Sequence, residues 1–230
     1  MAAVSKKRSV ADRISAEHSR EALAPIESVS DLFAQRLDST SIRRLMLAAV
    51  DTFSRNGFHG ASTREIAKRA KLSPAAVYVH FRSKEDLLYS AVLIISNWVF
   101  DEVMAVKKED LPPRERMRKM VEVHVTSHAK MRNALIVVEY EFGTLNPVQR
   151  KKILLLRDAM EEMFETCIRE GCEQGVFKVT DIPATKVAVL SLCVSVLNWF
   201  SPKGRLSATD VGKLYAELVL SMINATPASR

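Results

Sequence analysis

The sequence predicts an all-α protein. Three observations carry that expectation. The chain has only 7 Gly and 8 Pro in 230 residues, few for the many tight turns of an all-β fold. Apolar residues recur at i, i+3 and i+4 through most of its length. No stretch alternates apolar and polar residues over the length of a strand. The expected organisation is a polar, partly mobile N-terminal extension over 1–39, a small three-helix unit over 40–88 and a larger helical domain over 89–230.

The extension is polar with scattered apolar residues, and it reads as a solvated tail with a short helix near Asp31–Leu37. Lys6, Lys7 and Arg8 form a small basic cluster there. From Ser41 the pattern becomes strongly helical. Ile42, Leu45, Met46, Ala49, Val50 and Phe53 share one face. Asn56-Gly57 stops this helix with a residue able to take positive φ. Ser62-Thr63-Arg64-Glu65 has the capping-box pattern, with Ser62 at the N-cap and Glu65 three residues on. The helix it opens ends at Lys71-Leu72. Ser73-Pro74 starts another, with Ser as N-cap and Pro at N1, where its missing N–H costs nothing. Ser83 caps a long helix from Lys84 to about Val106. Further helices are expected over 112–130, 132–142, 147–173, 183–200 and 207–223, with a loop at 176–182.

Two short helices joined by a tight turn and braced by an earlier amphipathic helix make a helix-turn-helix. Charge supports a polyanionic partner. The chain carries a net charge of +7. Between positions 64 and 84 stand Arg64, Lys68, Arg69, Lys71, Arg82 and Lys84 against Glu65 alone. Concentration of positive charge in one place suits phosphates.

Residues 42–88, IRRLMLAAVDTFSRNGFHGASTREIAKRAKLSPAAVYVHFRSKEDLL, resemble the N-terminal DNA-binding domain of TetR-family transcriptional regulators. Phe53, Gly57, Thr63, Ile66-Ala67, Tyr78, His80-Phe81, Lys84 and Leu87-Leu88 carry the resemblance. Two positions depart from it: the family usually has Gly where this chain has Lys71, and often Gly where it has Ala75. Lys71 can take the left-handed conformation at modest cost.

Val77 and Phe81 are spaced i, i+4 and are expected to pack inward. That leaves Pro74, Ala75, Tyr78 and Val79 for the groove, with Ala76 and His80 at its margins and Ser73 at the helix start. Thr63, Tyr78, His80 and Lys84 are expected on phosphates, which position without reading sequence. The second short helix has no Arg, Asn or Gln from Pro74 to Val79. Base reading is therefore expected from Arg64, whose fork suits guanine O6 and N7, with Ala75, Ala76 and Val79 touching thymine methyls.

The resemblance implies a homodimer whose C-terminal domain holds an effector. The helix over 183–200 is apolar nearly all round, so it needs a partner surface besides its own core. Leu190, Val194 and Leu197, with Leu214, Leu218 and Met222 from the last helix, are the expected interface. A finer resemblance rests on Glu139-Tyr140-Glu141, Leu145-x-Pro147-x-x-Arg150, Arg157-Asp158 and Asn198-Trp199-Phe200-x-Pro202-x-Gly204. These look like TetR regulators of fatty-acid and sterol catabolism, which typically respond to acyl-CoA thioesters. It implies effector contacts at Met104, Met120, Arg150, Arg157 and Trp199: apolar lining for the acyl chain and cations for the phosphates.

Cys167, Cys172 and Cys193, an odd number, suit buried small side chains rather than a disulfide framework. His124 and His128 have the i, i+4 spacing of two metal ligands, but no third ligand stands in a recognised motif. They are expected to be a partly exposed pair, and no metal or cofactor is expected. The sequence shows no phosphate-binding Gly loop, zinc-protease helix or nucleophile elbow, so no enzyme is expected. The start of the chain lacks an apolar leader pattern, and Val187–Leu197 is short and Ser-rich for a membrane span. A cytoplasmic protein without membrane attachment is expected. The expected role is a repressor on a palindromic operator, released by a small effector. An activator, or a helical scaffold that no longer reads DNA, is also compatible with the sequence.

Overall fold

The computed structural model describes residues 26–223, in which helices account for all regular structure. They are α1 (Val29–Arg36), α2 (Thr40–Gly60), α3 (Thr63–Arg69), α4 (Pro74–His80), α5 (Lys84–Lys107), α6 (Pro113–Lys130), α7 (Arg132–Tyr140), α8 (Pro147–Glu173), α9 (Ile182–Val194), α10 (Val196–Trp199) and α11 (Ala208–Met222). A single 3₁₀ turn, Phe142–Thr144, joins α7 to α8. The chain forms two compact units. One comprises residues up to Ser96 together with Asn133–Arg150, and the other comprises Asn97–Arg132 together with the residues from Lys151 on. The assignment of Asn133–Arg150 to the N-terminal unit is not visible in the hydrophobic pattern.

The first unit is built around α2. Leu45, Met46, Ala49, Val50 and Phe53 are buried on the face their spacing defines. The Lys6-Lys7-Arg8 cluster and the mobility expected of the extension lie outside the described residues. What is described of the extension differs from a solvated tail. Ser28 caps α1 by accepting from the Asp31 amide, and Leu32 and Phe33 are fully buried. A helix of two turns shows too few apolar positions for periodicity to reveal its buried side.

The backbone of α2 breaks at Gly57, at φ 67 and ψ 171, a conformation that favours glycine. Ser62 accepts from the Glu65 amide at 3.1 Å. The reciprocal half of the expected capping box is replaced: the Glu65 carboxylate faces Asn56 and Arg69 instead. Ser73 makes no side-chain cap, so the start of α4 relies on Pro74 at N1. Ser83 does cap α5, accepting from the Asp86 amide at 3.2 Å.

The turn between α3 and α4 is a Schellman motif. The Leu72 amide donates to the Ala67 carbonyl at 2.9 Å, and the Lys71 amide to the Lys68 carbonyl at 3.0 Å. Lys71 sits at φ 53, as a residue in this position must. Arg44 of α2 braces it by donating to the Lys71 carbonyl at 3.0 Å.

In the second unit α11 packs along α6. The contact is close because position 212 is glycine: a Cβ there would stand 2.3 Å from Thr126 Oγ1 and 2.8 Å from the Glu122 carbonyl oxygen. Val211, Tyr215, Ala216 and Val219 fill the α11 face towards the core. The single helix expected over 183–200 is interrupted at Ser195. Its hydroxyl donates to the Leu192 carbonyl at 2.6 Å, and the chain restarts as α10. Cys167 and Cys193 are buried, and Cys172 is half-buried; all three are free thiols. Burial pushes both buried thiols up to about 12, which keeps them protonated and unreactive.

Lys71→Gly relieves the left-handed cost at the turn and should stabilise the protein by about 1 kcal/mol. Lys71→Val, β-branched in the same conformation, should destabilise it. Chemical denaturation of the two variants checks the ordering.

Candidate functional site

The helix-turn-helix presents a defined outer face. Val77 and Phe81 of the α4 segment are buried, as their spacing requires. Tyr78 and Val79 are 60% and 63% exposed, unusual for large apolar groups. Ser73, Pro74 and Ala75 are exposed beside them, and Ala76 and His80 are half-buried at the margins. Arg64 is exposed in the first turn of α3. Thr63 Oγ1 and Tyr78 Oη lie 3.1 Å apart and tie α3 to α4 across this face. The geometry thus brings the α3 start and the α4 outer surface together.

The positive charge is more narrowly distributed than the sequence implies. Arg69 pairs with Asp51 at 2.7 Å and Glu65 at 3.1 Å, bracing α3 on α2. Lys84 is engaged within its own unit. Its ammonium donates to the carbonyls of Phe58 and Ala61 at 2.7 and 2.9 Å. It also lies 4.1 Å from the Phe58 ring centroid, a cation–π contact. These carbonyls belong to the broken end of α2, where Gly57 has left the helical path. Lys84 thus fastens the α2 end. Arg64, Lys68 and Lys71 remain exposed.

Glu141 shares the fastening of the α2 end with Lys84, and the sequence pattern does not mark it for that role. Glu141 Oε1 accepts from the Phe58 amide at 3.0 Å, and Glu141 Oε2 accepts from the Thr144 hydroxyl at 3.3 Å. Glu141 stood out in the sequence only as part of a motif. The signal that could have located it is the Gly57 break, which frees an amide that needs an acceptor.

In the second unit, Met120 is fully buried in the core and Met104 packs against it half-buried. Arg157 is half-buried on α8 and stands close enough to His128 to act on it electrostatically. Arg150 belongs to the first unit. Trp199 is 49% exposed, and its indole N–H donates to Tyr215 Oη at 2.8 Å, with the two rings stacked. Leu197 departs from expectation: it is buried in its own chain, and its carbonyl accepts from Arg132 at 2.8 Å. The Ser195 break turns Leu197 inward. Val187, Leu214, Leu218 and Met222 are exposed, with Leu190 and Val194 half-buried.

His124 and His128 are buried, at 3% and 2% exposure, against the expectation of a partly exposed pair. Their rings lie 4.3 Å apart, and Phe164 meets His124 edge-on. Burial, with His128 alongside, holds His124 well below the usual imidazole range. Burial likewise lowers His128 to about 4, assisted by Arg157 and opposed by the hydrogen bond to the His124 carbonyl. Both rings are neutral at pH 7. No cluster of three metal-ligating side chains occurs among the described residues.

Comparison with known proteins places this geometry. The signature described as "Bacterial regulatory proteins, tetR family" matches residues 45–91, and "Tetracyclin repressor-like, C-terminal domain" matches residues 110–223. A bacterial regulatory protein in the tetR family from Rhodococcus RHA1 is 31% identical. The match covers 82% of this chain and 100% of that one, with a TM-score of 0.77. The chain belongs to the TetR family. As a TetR-family protein it is a transcriptional regulator and not an enzyme. The fatty acid metabolism regulator protein of Bacillus subtilis is 26% identical over 57% of this chain and 68% of its own length. The transcriptional repressor KstR2 of Mycobacterium tuberculosis is 23% identical over 84% and 97%. The structure of AibR in complex with isovaleryl coenzyme A and operator DNA has the same fold, with a TM-score of 0.72 at 21% identity over 81% of this TetR-family chain and 100% of that one.

Two outcomes test these assignments. Lys84→Met keeps the apolar stem but removes two charge-assisted hydrogen bonds, and should cost roughly 2 kcal/mol of stability. The salt dependence of DNA binding should keep its wild-type slope, because the ammonium is already engaged by two carbonyls. The histidines give a pH signature. In the unfolded chain they titrate near ~6.5, while in the fold both stay neutral to lower pH. The unfolded state therefore binds more protons, and stability falls as pH drops from 6.5 towards 4. The slope is at most about 1.4 kcal/mol per pH unit for each histidine. A His124→Leu/His128→Leu variant should show a flatter stability profile between pH 6.5 and 5 than wild type in urea titrations.

Proposed function

We propose that this TetR-family regulator is a repressor that binds a palindromic operator as a homodimer and is released by an acyl-CoA thioester. The observation that carries the DNA-reading part is the exposed Tyr78–Val79 surface beside Arg64 on a capped helix-turn-helix. Large apolar groups so exposed are costly unless a partner covers them. Tyr78, with Thr63 beside it, is suited to a phosphate oxygen; His80 and the polar start of α4 at Ser73-Pro74 flank the same path. Ala75, Ala76 and Val79 offer methyl-sized contacts to thymine, and Arg64 offers the bidentate donor that guanine selects. A cytoplasmic location follows from this role, since the bacterial chromosome is there.

The homodimer reading rests on two apolar stripes. Leu214, Leu218 and Met222 recur every four residues along one exposed side of α11, while the opposite side fills the core. Val187, Leu190 and Val194 form a matching stripe on α9. Two helices from each subunit, related by a two-fold axis, bury such stripes as a four-helix contact. A dimer of this kind needs half-sites roughly 34–36 Å apart. The effector reading is supported by the Met-rich core of the second unit, by Arg157 at its edge, and by the AibR complex, which holds isovaleryl coenzyme A. The fatty-acid regulator of Bacillus subtilis and the repressor KstR2 point to the same area of metabolism.

Binding-site selection with the purified protein, with and without a panel of acyl-CoAs, tests the whole reading. Wild type should enrich an inverted repeat, and an acyl-CoA should weaken binding to it. Arg64→Ala should lose about 1–3 kcal/mol and relax preference at one G·C pair in each half-site. An unchanged preference in that variant would remove Arg64 from the reading face. Failure to enrich any sequence would leave a helical scaffold as the better description.

A further inference from the structure

His124 is the most exceptional polar group in the second unit. It is buried, and neither of its ring nitrogens has a hydrogen-bond partner among the described residues. Buried polar atoms are nearly always satisfied, and one that is not calls for an explanation. His128, one turn on, shows the contrast. Its Nδ1 lies 2.8 Å from the His124 carbonyl, which can only accept, so Nδ1 carries a proton and is satisfied within its own helix. His124 has no such local solution. Its ring is surrounded by His128, Phe164 and the apolar side chains around them. Leu or Phe would fill this volume without the desolvation of two nitrogens.

An imidazole kept in such a place is useful to a molecule that enters the core and brings its own acceptor. Kept neutral by burial, it offers one N–H donor and one bare nitrogen without adding a charge to the interior. Met120 and Met163 belong to the same core cluster as Phe164, and Met160 packs against it. Methionines of this kind re-pack around an aliphatic chain. Arg157 stands within electrostatic range of His128.

We propose that His124 is the polar anchor of the effector site, donating a hydrogen bond from its ring N–H to the carbonyl oxygen of an acyl thioester. The acyl chain lies among the methionines and Phe164, and the phosphate-bearing end lies towards Arg157. This rests on the acyl-CoA reading above and specifies how the protein recognises the thioester as a chemical group. A ligand with the same chain but no carbonyl leaves His124 unsatisfied, so the discrimination resides in one hydrogen bond.

The test compares butyryl-, octanoyl- and palmitoyl-CoA with the corresponding S-alkyl-CoA thioethers, which keep chain, sulfur and coenzyme but lack the carbonyl. Calorimetric titration of wild type should show at least one thioester binding about tenfold or more tightly than its thioether, the scale of a single buried hydrogen bond. His124→Leu should bind the two alike, and thermal melting of the ligand-free variant should show it folded and no less stable than wild type. His124→Asn, which retains an N–H donor, should restore part of the preference. A His124→Leu variant that keeps the wild-type preference would overturn the assignment, as would a wild type indifferent to the carbonyl. If wild type binds none of the thioesters, the acyl-CoA reading itself fails and this inference falls with it. If it binds them but the preference survives in His124→Leu, only the role of His124 is lost.

Discussion

The placement of the helix-turn-helix depends on how the broken end of α2 is held. Gly57 leaves the helical path, so the Phe58 amide and the Ala61 carbonyl lose the partners a continuing helix would give them, and the Phe58 carbonyl keeps only a 3.3 Å bond from the Ala61 amide. Two charged side chains meet this demand from opposite sides of the hydrogen-bond inventory. Lys84, at the start of α5, takes the two carbonyls, and Glu141, after α7, takes the amide. Each bond is charge-assisted and partly shielded from water, the circumstance in which such contacts are strongest. Because only the N-cap Ser62 separates Ala61 from α3, the direction in which α3 and α4 leave α2 is fixed at this knot. The Schellman turn at Lys71 then sets the angle between them, and Arg44 returns from α2 to brace it.

That arrangement explains how a reading face without Arg, Asn or Gln on α4 can still be specific. The rigid turn and the Thr63–Tyr78 contact hold the start of α3 beside the surface of α4. A fork on α3 and methyl groups on α4 can therefore address one groove together. Two of the basic residues nearby serve other purposes: Arg69 joins α3 to α2, and Lys84 closes the α2 end. Net charge along a stretch of sequence overstates the charge available to a polyanion whenever the fold uses those cations internally.

The sequence was most legible where a local rule decides the outcome. The inward positions Val77 and Phe81, the positive φ of Gly57 and Lys71, and the Ser62 and Ser83 caps follow from periodicity or from backbone stereochemistry. It was least legible where a distant partner decides. Lys84 looks like a surface cation until its carbonyls are placed 23 and 26 residues away. Glu141 is 83 residues from the amide it satisfies. Leu197 reads as part of an outward stripe because periodicity continues through Ser195, whereas the chain breaks there and turns it inward. His124 and His128 carry the polarity of surface residues on a helix whose buried side is wider than an apolar count suggests, and Leu32 and Phe33 have too short a helix to show a face at all.

Regulation by a ligand places a quantitative demand on this architecture. To move an operator from almost fully occupied to almost empty, the effector must prefer the non-binding conformation by about 10⁴-fold, or about 5.5 kcal/mol. A ligand that only filled space in the second unit with equal affinity for both conformations would shift nothing. A polar anchor such as the one proposed at His124 changes that arithmetic, since the hydrogen bond forms only where the ring and carbonyl are correctly placed. The helices α5 and α8 each contribute residues to both units. Lys84 stands at the start of α5, in the first unit, where its two carbonyl contacts fasten the α2 end. Charge-assisted bonds of this kind are directional as well as strong, so they define one geometry for the start of the helix-turn-helix.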